Sequence, residues 1–367
     1  MAPSPSASPR RLNALTGLRC FAALNIVFFH FSNPKWFGPL APVINSGYIS
    51  VSFFILLSGY ILAYNYSERG QRGEVDAPRF WKARLSRLYP VYLLSLILSL
   101  GMLWEEYGAH SHFMFWTGVV LTPLLVQGWV PALATFWNTP AWTISAEAFF
   151  YLLFPWISRW RRPKSLPKLI GLLTILWITA SLAGLLYTIF SPDGNPHPDR
   201  YTSGIWIRTL KFTPLPHLST FLFGVVLAAV DAVLPRAARW RAWVGLAGLA
   251  ALYIVLQYAD SLPYPMLHDG LLLPLFAPIV LGLAGNNWLA RVFSFRGFVL
   301  IGEASYCMYL LHFNFWNIVH KSGVLQITGL MRFDPWISYL LIVLLALITL
   351  HWVERPAQRW MKRLLKA

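Results

Sequence analysis

Charge is scarce in this sequence: only 12% of its 367 residues are Asp, Glu, Lys or Arg, about half the share a water-soluble domain carries. With 57% of residues hydrophobic and 16% aromatic, a soluble fold of this size could not hide its apolar surface. A soluble multidomain enzyme, a disordered chain and a coiled coil are excluded. Cysteine is nearly absent: Cys20 and Cys307 both fall inside apolar runs, leaving no disulfide framework and no CxxC metal signature. HExxH, GxSxG, a glycine-rich phosphate loop and any metal-ligand cluster are missing as well, so no metal is expected. Acidic residues number 14 against 30 Lys and Arg, and in a soluble protein the net charge of +16 would point to nucleic acid. Here the basic residues flank apolar runs, and no nucleic acid is expected as a partner.

What the sequence has in abundance is membrane-length apolar runs. At about 20 residues per crossing, ten are read: 12–31, 47–64, 88–104, 141–157, 169–190, 218–234, 242–258, 270–285, 298–319 and 336–353. An eleventh candidate, 113–130, is broken in its second half by Pro123, Gln127 and Gly128. Counting it as a crossing would put the RWRRPK run, 159–164, outside, against the positive-inside rule. The expectation is therefore an all-α, polytopic integral membrane bundle of about ten transmembrane helices plus one re-entrant or interfacial segment. With both termini cytoplasmic, 23 Lys and Arg lie on inner loops and six on outer ones. Three stretches follow: a Pro/Ser-rich cytoplasmic tail over 1–11, a membrane domain over 12–354 and a basic cytoplasmic tail over 355–367. The head is not a signal peptide, because its apolar run is too long and carries Arg19.

Ionisable residues inside spans are costly and usually functional. The first span holds Arg19 and His30, eleven positions apart. At 100° per residue this places both within about 20° of one helix face and roughly 16 Å apart along the axis. A guanidinium suits phosphate or carboxylate and a neutral imidazole suits proton transfer, so a donor with an anionic head and a long arm ending in a reactive group would fit. Coenzyme A thioesters have that form. The bland alternative is a structural arginine and an interfacial histidine. Glu147 is the only charge of WTISAEAFFYLLFP, and it is expected near the level of His30, where it would orient the imidazole. Ser305, Tyr309, His312 and Trp316 recur on one face of the ninth span, a stripe that either lines a sugar site or packs another helix. Arg84 and Arg87, three apart before the third span, either hold cofactor phosphates or anchor lipid headgroups. The small residues Ser58 and Gly59 mark a close helix contact.

In order along the chain, LTGLRCFAALNIVFFH, FFILLSGYIL, FWKARLSRLYPVY, WTISAEAFFYLLFP, IGEASYCMYLLHF and VERPAQRW resemble the acyltransferase family 3 membrane proteins. The resemblance implies a bundle of about ten spans taking an acyl-CoA donor from the cytoplasm. It matches an Arg-x10-His motif at Arg19 and His30, a basic segment at Arg84 and Arg87, a W-x-x-S-x-E segment at Trp142, Ser145 and Glu147, and an E-x-P at Glu354 and Pro356. Some members carry a fused extracytoplasmic domain. With eleven residues after Pro356, no such domain is expected here, and transfer is expected to be completed by the bundle or passed to a partner.

The expected activity is O-acetyl transfer from acetyl-CoA to a sugar hydroxyl of a bacterial exopolysaccharide or its lipid-linked precursor, in the cytoplasmic (inner) membrane. His30 and Glu147 are the catalytic candidates, Arg19, Arg84 and Arg87 the donor-binding ones, and Ser145, Tyr309 and His312 the acceptor-binding ones. Expected partners are the lipid-linked acceptor, membrane lipids and other polysaccharide-assembly proteins. Rival readings are the same scaffold moving succinyl or acylating lipopolysaccharide or a small molecule, and a polyprenyl-sugar transporter or flippase. The last would show internal symmetry, which the sequence lacks.

Overall fold

The computed structural model describes residues 12–364, so the expected 1–11 tail, with Arg10 and Arg11, lies outside the described residues. In chain order the helices that position the site are α1 (Asn13–Phe31), α2 (Ile49–Gln71), α3 (Ala77–Leu98), α4 (Leu100–Ala109), α5 (His112–Leu121), α6 (Trp142–Arg159), α7 (Leu166–Phe190), α8 (Ile205–Phe212), α9 (Leu218–Val233), α10 (Trp240–Gln257), α11 (Tyr264–His268), α12 (Leu273–Ala284), α13 (Arg296–Glu303), α14 (Ser305–Lys321), α15 (Trp336–Thr349) and α16 (Arg355–Leu364). No strand occurs among the described residues. The architecture is an all-α polytopic bundle, as the apolar runs require: in hydrocarbon a helix satisfies its own backbone.

Six helical stretches are long and apolar enough to cross a membrane: α1, α2, α7, α10, Tyr264–Ala284 and Trp336–Met361. A seventh arises if α3 and α4, bent by 65° at their junction, are one span. The other predicted runs are also helical but short or broken, except α6, whose 18 residues are long enough but less apolar. The run over 298–319 divides at Ala304 into α13 and α14, and α9 holds only 16 residues. The stretch from 355, read from the sequence as a tail, continues the last span through a π-helical turn, Leu350–Glu354, into α16.

The interrupted eleventh run is neither a span nor a surface loop. α5 ends at Leu121, and the irregular chain over 122–141 turns into the bundle, where its backbone is pinned by side chains of neighbouring helices. Tyr92 donates to the Thr122 carbonyl at 2.6 Å and Tyr89 to that of Pro123 at 3.0 Å. Trp137 Nε1 donates to Leu96 at 3.0 Å, and Asn138 Nδ2 to Ser95 Oγ at 2.9 Å. Leu125 and Trp137 adopt left-handed backbone angles, φ 63° and 67°, to make these turns. Non-helical backbone at membrane depth persists only where protein supplies such partners.

A tight crossing joins α2 and α9. A methyl group added at Gly59 would stand 2.0 Å from the Phe221 carbonyl oxygen, and one at Gly224 1.9 Å from that of Leu56. Each glycine lets the opposite backbone approach, which is how helices associate without a hydrophobic drive between them. On the far side of α9, Asp231 is buried and pairs with Arg241 of α10, which also donates to Leu281 of α12. This pair ties three helices and leaves neither charge alone in hydrocarbon.

Candidate active site

Two cavities meet inside the bundle. The first, about 770 Å³ including its open mouth, is lined by Arg19 of α1, Ser58 of α2, Arg84 and Arg87 of α3, Glu147 of α6 and Ser305 of α14. Among the described residues, the arginines in ion pairs within 4.0 Å are Arg72, Arg236, Arg241 and Arg355. Arg19, Arg84 and Arg87 are not of that set. Arg84 donates to the Tyr66 hydroxyl at 3.2 Å, whereas Arg19 and Arg87 donate no side-chain hydrogen bond to any of the described residues. The carboxylates acting on this pair are Glu147 and Glu354. Glu354, from the π-helical turn, is held by Cys307 at 3.2 Å and by Gln358 at 2.9 Å. Cationic groups with idle donors in a confined, partly apolar cavity form an anion site.

The second cavity, about 920 Å³, shares Val51 and Tyr309 with the first and is lined further by His30, Trp142, Tyr48, Tyr264, Lys211 and His268. His30 is open to it. Its Nδ1 lies 2.8 Å from the Ile26 carbonyl oxygen. Since a carbonyl only accepts, Nδ1 carries the hydrogen of the neutral ring and Nε2 holds the lone pair. A base facing a cavity in its acceptor tautomer is what proton abstraction from a hydroxyl needs. His312 of α14 stands with its ring 5.1 Å from that of His30, and it too is fixed, Nδ1 to the Tyr309 carbonyl at 2.6 Å, leaving a buried Nε2 without a partner. Phe31 stacks on Trp316 at 4.2 Å, locking α1 to α14 at this end.

The structure rearranges several of the expected roles. Arg19, Arg84 and Arg87 come together in one chamber, and the stripe on α14 faces inward as expected, with Ser305 in the arginine chamber, Tyr309 at the junction and His312 beside His30. Glu147, however, does not meet His30. It lines the arginine cavity and accepts from Tyr151 at 3.5 Å, while the Ile26 carbonyl does the orienting expected of it. The physical reason is position along α6: Trp142 at its start lines the His30 cavity, and Glu147, five residues further on, lines the arginine cavity. Ser145 is corrected too: its hydroxyl donates to the Leu125 carbonyl at 2.7 Å and pins the irregular segment, outside both chambers.

Sequence reasoning passed over Lys211, Arg200 and His268 of the second cavity, together with His217 and Asp269 behind it. They sit on short elements and loops where no periodicity marks them. The one available signal was ionisable residues within otherwise apolar stretches, PLPHLS and MLHDG. No group of three or more His, Cys, Asp or Glu among the described residues is placed to hold a metal ion.

With this geometry in view, comparison with known proteins is direct. Residues 12–352 match the family model of the acyltransferase domain, acyltransferase family 3. Acyltransferase MdmB of Streptomyces mycarofaciens is 29% identical over 83% of this chain and 78% of its own. O-acetyltransferase OatA of Staphylococcus aureus is 23% identical over 96% of this chain but only 58% of its own length. A putative O-acetyltransferase of the same species is 25% identical over 95% of this chain and 58% of its own. No solved structure matches the chain significantly. A family model spanning nearly the whole chain leaves no room for the transporter reading: the chain belongs to acyltransferase family 3 and is a multi-pass membrane acyltransferase.

Proposed function

We propose that the chain moves an acetyl group from acetyl-CoA to a sugar hydroxyl of a bacterial exopolysaccharide, while that polymer is a lipid-linked precursor in the cytoplasmic membrane. The observation that carries this is the pair of joined cavities, with the idle guanidinium groups of Arg19 and Arg87 in one and the Nε2 lone pair of His30 in the other. Eleven helical residues separate Arg19 from His30, roughly 16 Å along the axis. That separation suits a ligand anchored by phosphates at one end and reactive at the other.

In this reading Arg19, Arg84 and Arg87 bind the phosphates of CoA from the side of the basic loops, taken as cytoplasmic along with both termini. The thioester then reaches past Tyr309. His30 takes the proton from the acceptor hydroxyl through Nε2 as that oxygen attacks the thioester carbonyl. The carbon–sulfur bond breaks, the ester forms, and the proton passes from His30 to the departing CoA sulfur. Glu147 tempers the positive charge of the arginine chamber. Tyr309 walls the junction, with His312 buried behind it beside His30, and aromatic rings of Trp142, Tyr48 and Tyr264 offer faces for a sugar.

Proton NMR of polysaccharide from cells with and without the gene tests the reading directly. O-acetyl signals should vanish on deletion, return with the wild-type gene and stay absent with His30→Ala. A succinyl signal in their place would change the acyl group. Unchanged polymer on deletion would remove the proposal.

A further inference from the structure

The His30 cavity holds cationic and imidazole groups but no carboxylate among its lining residues. Lys211, on α8, is 6% exposed; it donates to the Arg200 carbonyl at 3.1 Å and lies 5.3 Å from the ring centres of Phe212 and Tyr264. Arg200 covers the Phe29 ring at 4.9 Å, next to His30, and donates to Tyr201 at 2.6 Å. His268 is 5% exposed and its Nδ1 has no partner. The neighbouring acids Asp199, Asp260 and Asp269 lie off the cavity wall, although Asp199 and Asp260 are near enough to act on Lys211 and Tyr48. Asp199 is occupied by the Tyr201 and Thr202 backbone amides and the Thr202 hydroxyl. Asp269 lies behind the wall, 3.8 Å from His217. An ammonium and a guanidinium in a confined, aromatic-walled space, with no carboxylate on its wall and Asp199 acting only from outside it, are arranged for a ligand that brings negative charge itself.

We propose that the His30 cavity is an anion-binding acceptor site: Lys211, Arg200 and His268 bind a carboxylate or phosphate group of the acceptor and so select an anionic glycan for acylation. The proposal deepens the functional reading above, on which it rests for calling this cavity the acceptor side. Two sources share the chemistry, an acidic sugar residue and the phosphate that links a glycan to its lipid carrier. The same charges work against a neutral or cationic acceptor, because binding one would cover the buried Lys211 ammonium without supplying it a counter-charge.

The test needs no turnover. The full chain in detergent or nanodiscs is titrated calorimetrically with methyl glucuronide, glucose 1-phosphate and the neutral methyl glucoside. At least one charged probe is expected to bind tenfold or more tighter than the glucoside. Preference for the glucuronide assigns the anion to the sugar, and preference for the phosphate assigns it to the carrier linkage. Lys211→Met and Arg200→Gln should abolish the preference, whereas Arg84→Gln should retain it, which separates this site from the arginine chamber. Equal binding of all three probes, no binding of any, or a preference that survives Lys211→Met and disappears with Arg84→Gln would overturn the proposal. CoA titrated into the same samples reports on the donor reading separately, so failure of one is not failure of the other.

Discussion

The two cavities differ in how charge is balanced. The arginine chamber has three guanidinium groups with Glu147 on its wall and Glu354 behind it, while the His30 chamber has Lys211, Arg200 and two imidazoles with no carboxylate on its wall. In the proposed reading, mixed charge in the first would let a polyanionic donor enter and leave, since Glu147 and Glu354 act on the arginines when the ligand departs. Unbalanced charge in the second makes occupancy depend on what the ligand carries. Donor capture and acceptor choice are thus assigned to separate parts of one continuous space, joined at Tyr309.

The largest expected effect that separates the chambers is His30→Ala. Removing the base should lower transfer by about 100-fold or more in a radiolabelled acetyl-transfer assay while leaving the donor KM near its wild-type value. Arg87→Gln should act in the opposite sense, raising the donor KM by ~10- to 100-fold, the worth of a charge-assisted hydrogen bond. Glu147→Gln distinguishes this account from a Glu–His dyad. An orienting carboxylate would cost about 10⁴ in turnover when neutralised, whereas a group that only tempers the arginines should lower the donor KM by less than about tenfold and leave the pH–rate profile unmoved. A shifted profile would restore the dyad.

Two smaller effects sharpen the contrast. Burial, then the neighbouring Arg208, pulls the Lys211 ammonium down to about 8. A group with a depressed value is charged below it, so affinity for an anionic probe in the His30 cavity should fall as pH rises from 7 through about 8. The charged and titratable neighbours are Arg208, Arg200, Asp199, Tyr264, His217 and His268. Binding that stays flat from pH 7 to 9 would take Lys211 out of the site. Least of all, Ser145→Ala should cost about 1 kcal/mol of stability through the orphaned Leu125 carbonyl, read by thermal unfolding, with little change in either KM.

Much of this was legible in the sequence because helices convert spacing into direction. Eleven residues fixed Arg19 and His30 on one face of α1, and the i, i+4, i+7, i+11 stripe on α14 correctly announced a face turned toward the interior. Gly59 announced the close crossing with α9. Depth was not legible in the same way. It depends on where a helix begins, and α6 begins directly after a segment held by hydrogen bonds with Tyr89, Tyr92, Ser95 and Ser145, partners distant in sequence. That displacement moved Glu147 from His30 to the arginines. It also turned Ser145 from a substrate contact into a structural pin. Lys211, Arg200 and His268 were hidden for another reason: each belongs to a different short element, and only the tertiary fold collects them.

The central claim is that the chambers act in series, one holding the donor and the other using it. CoA affinity measured by isothermal titration on purified Arg19→Gln and His30→Ala proteins, with the wild type alongside, tests it most directly. The account predicts CoA binding weakened by at least about tenfold in Arg19→Gln and retained in His30→Ala. Equal loss in both variants, or full affinity in Arg19→Gln, would contradict it.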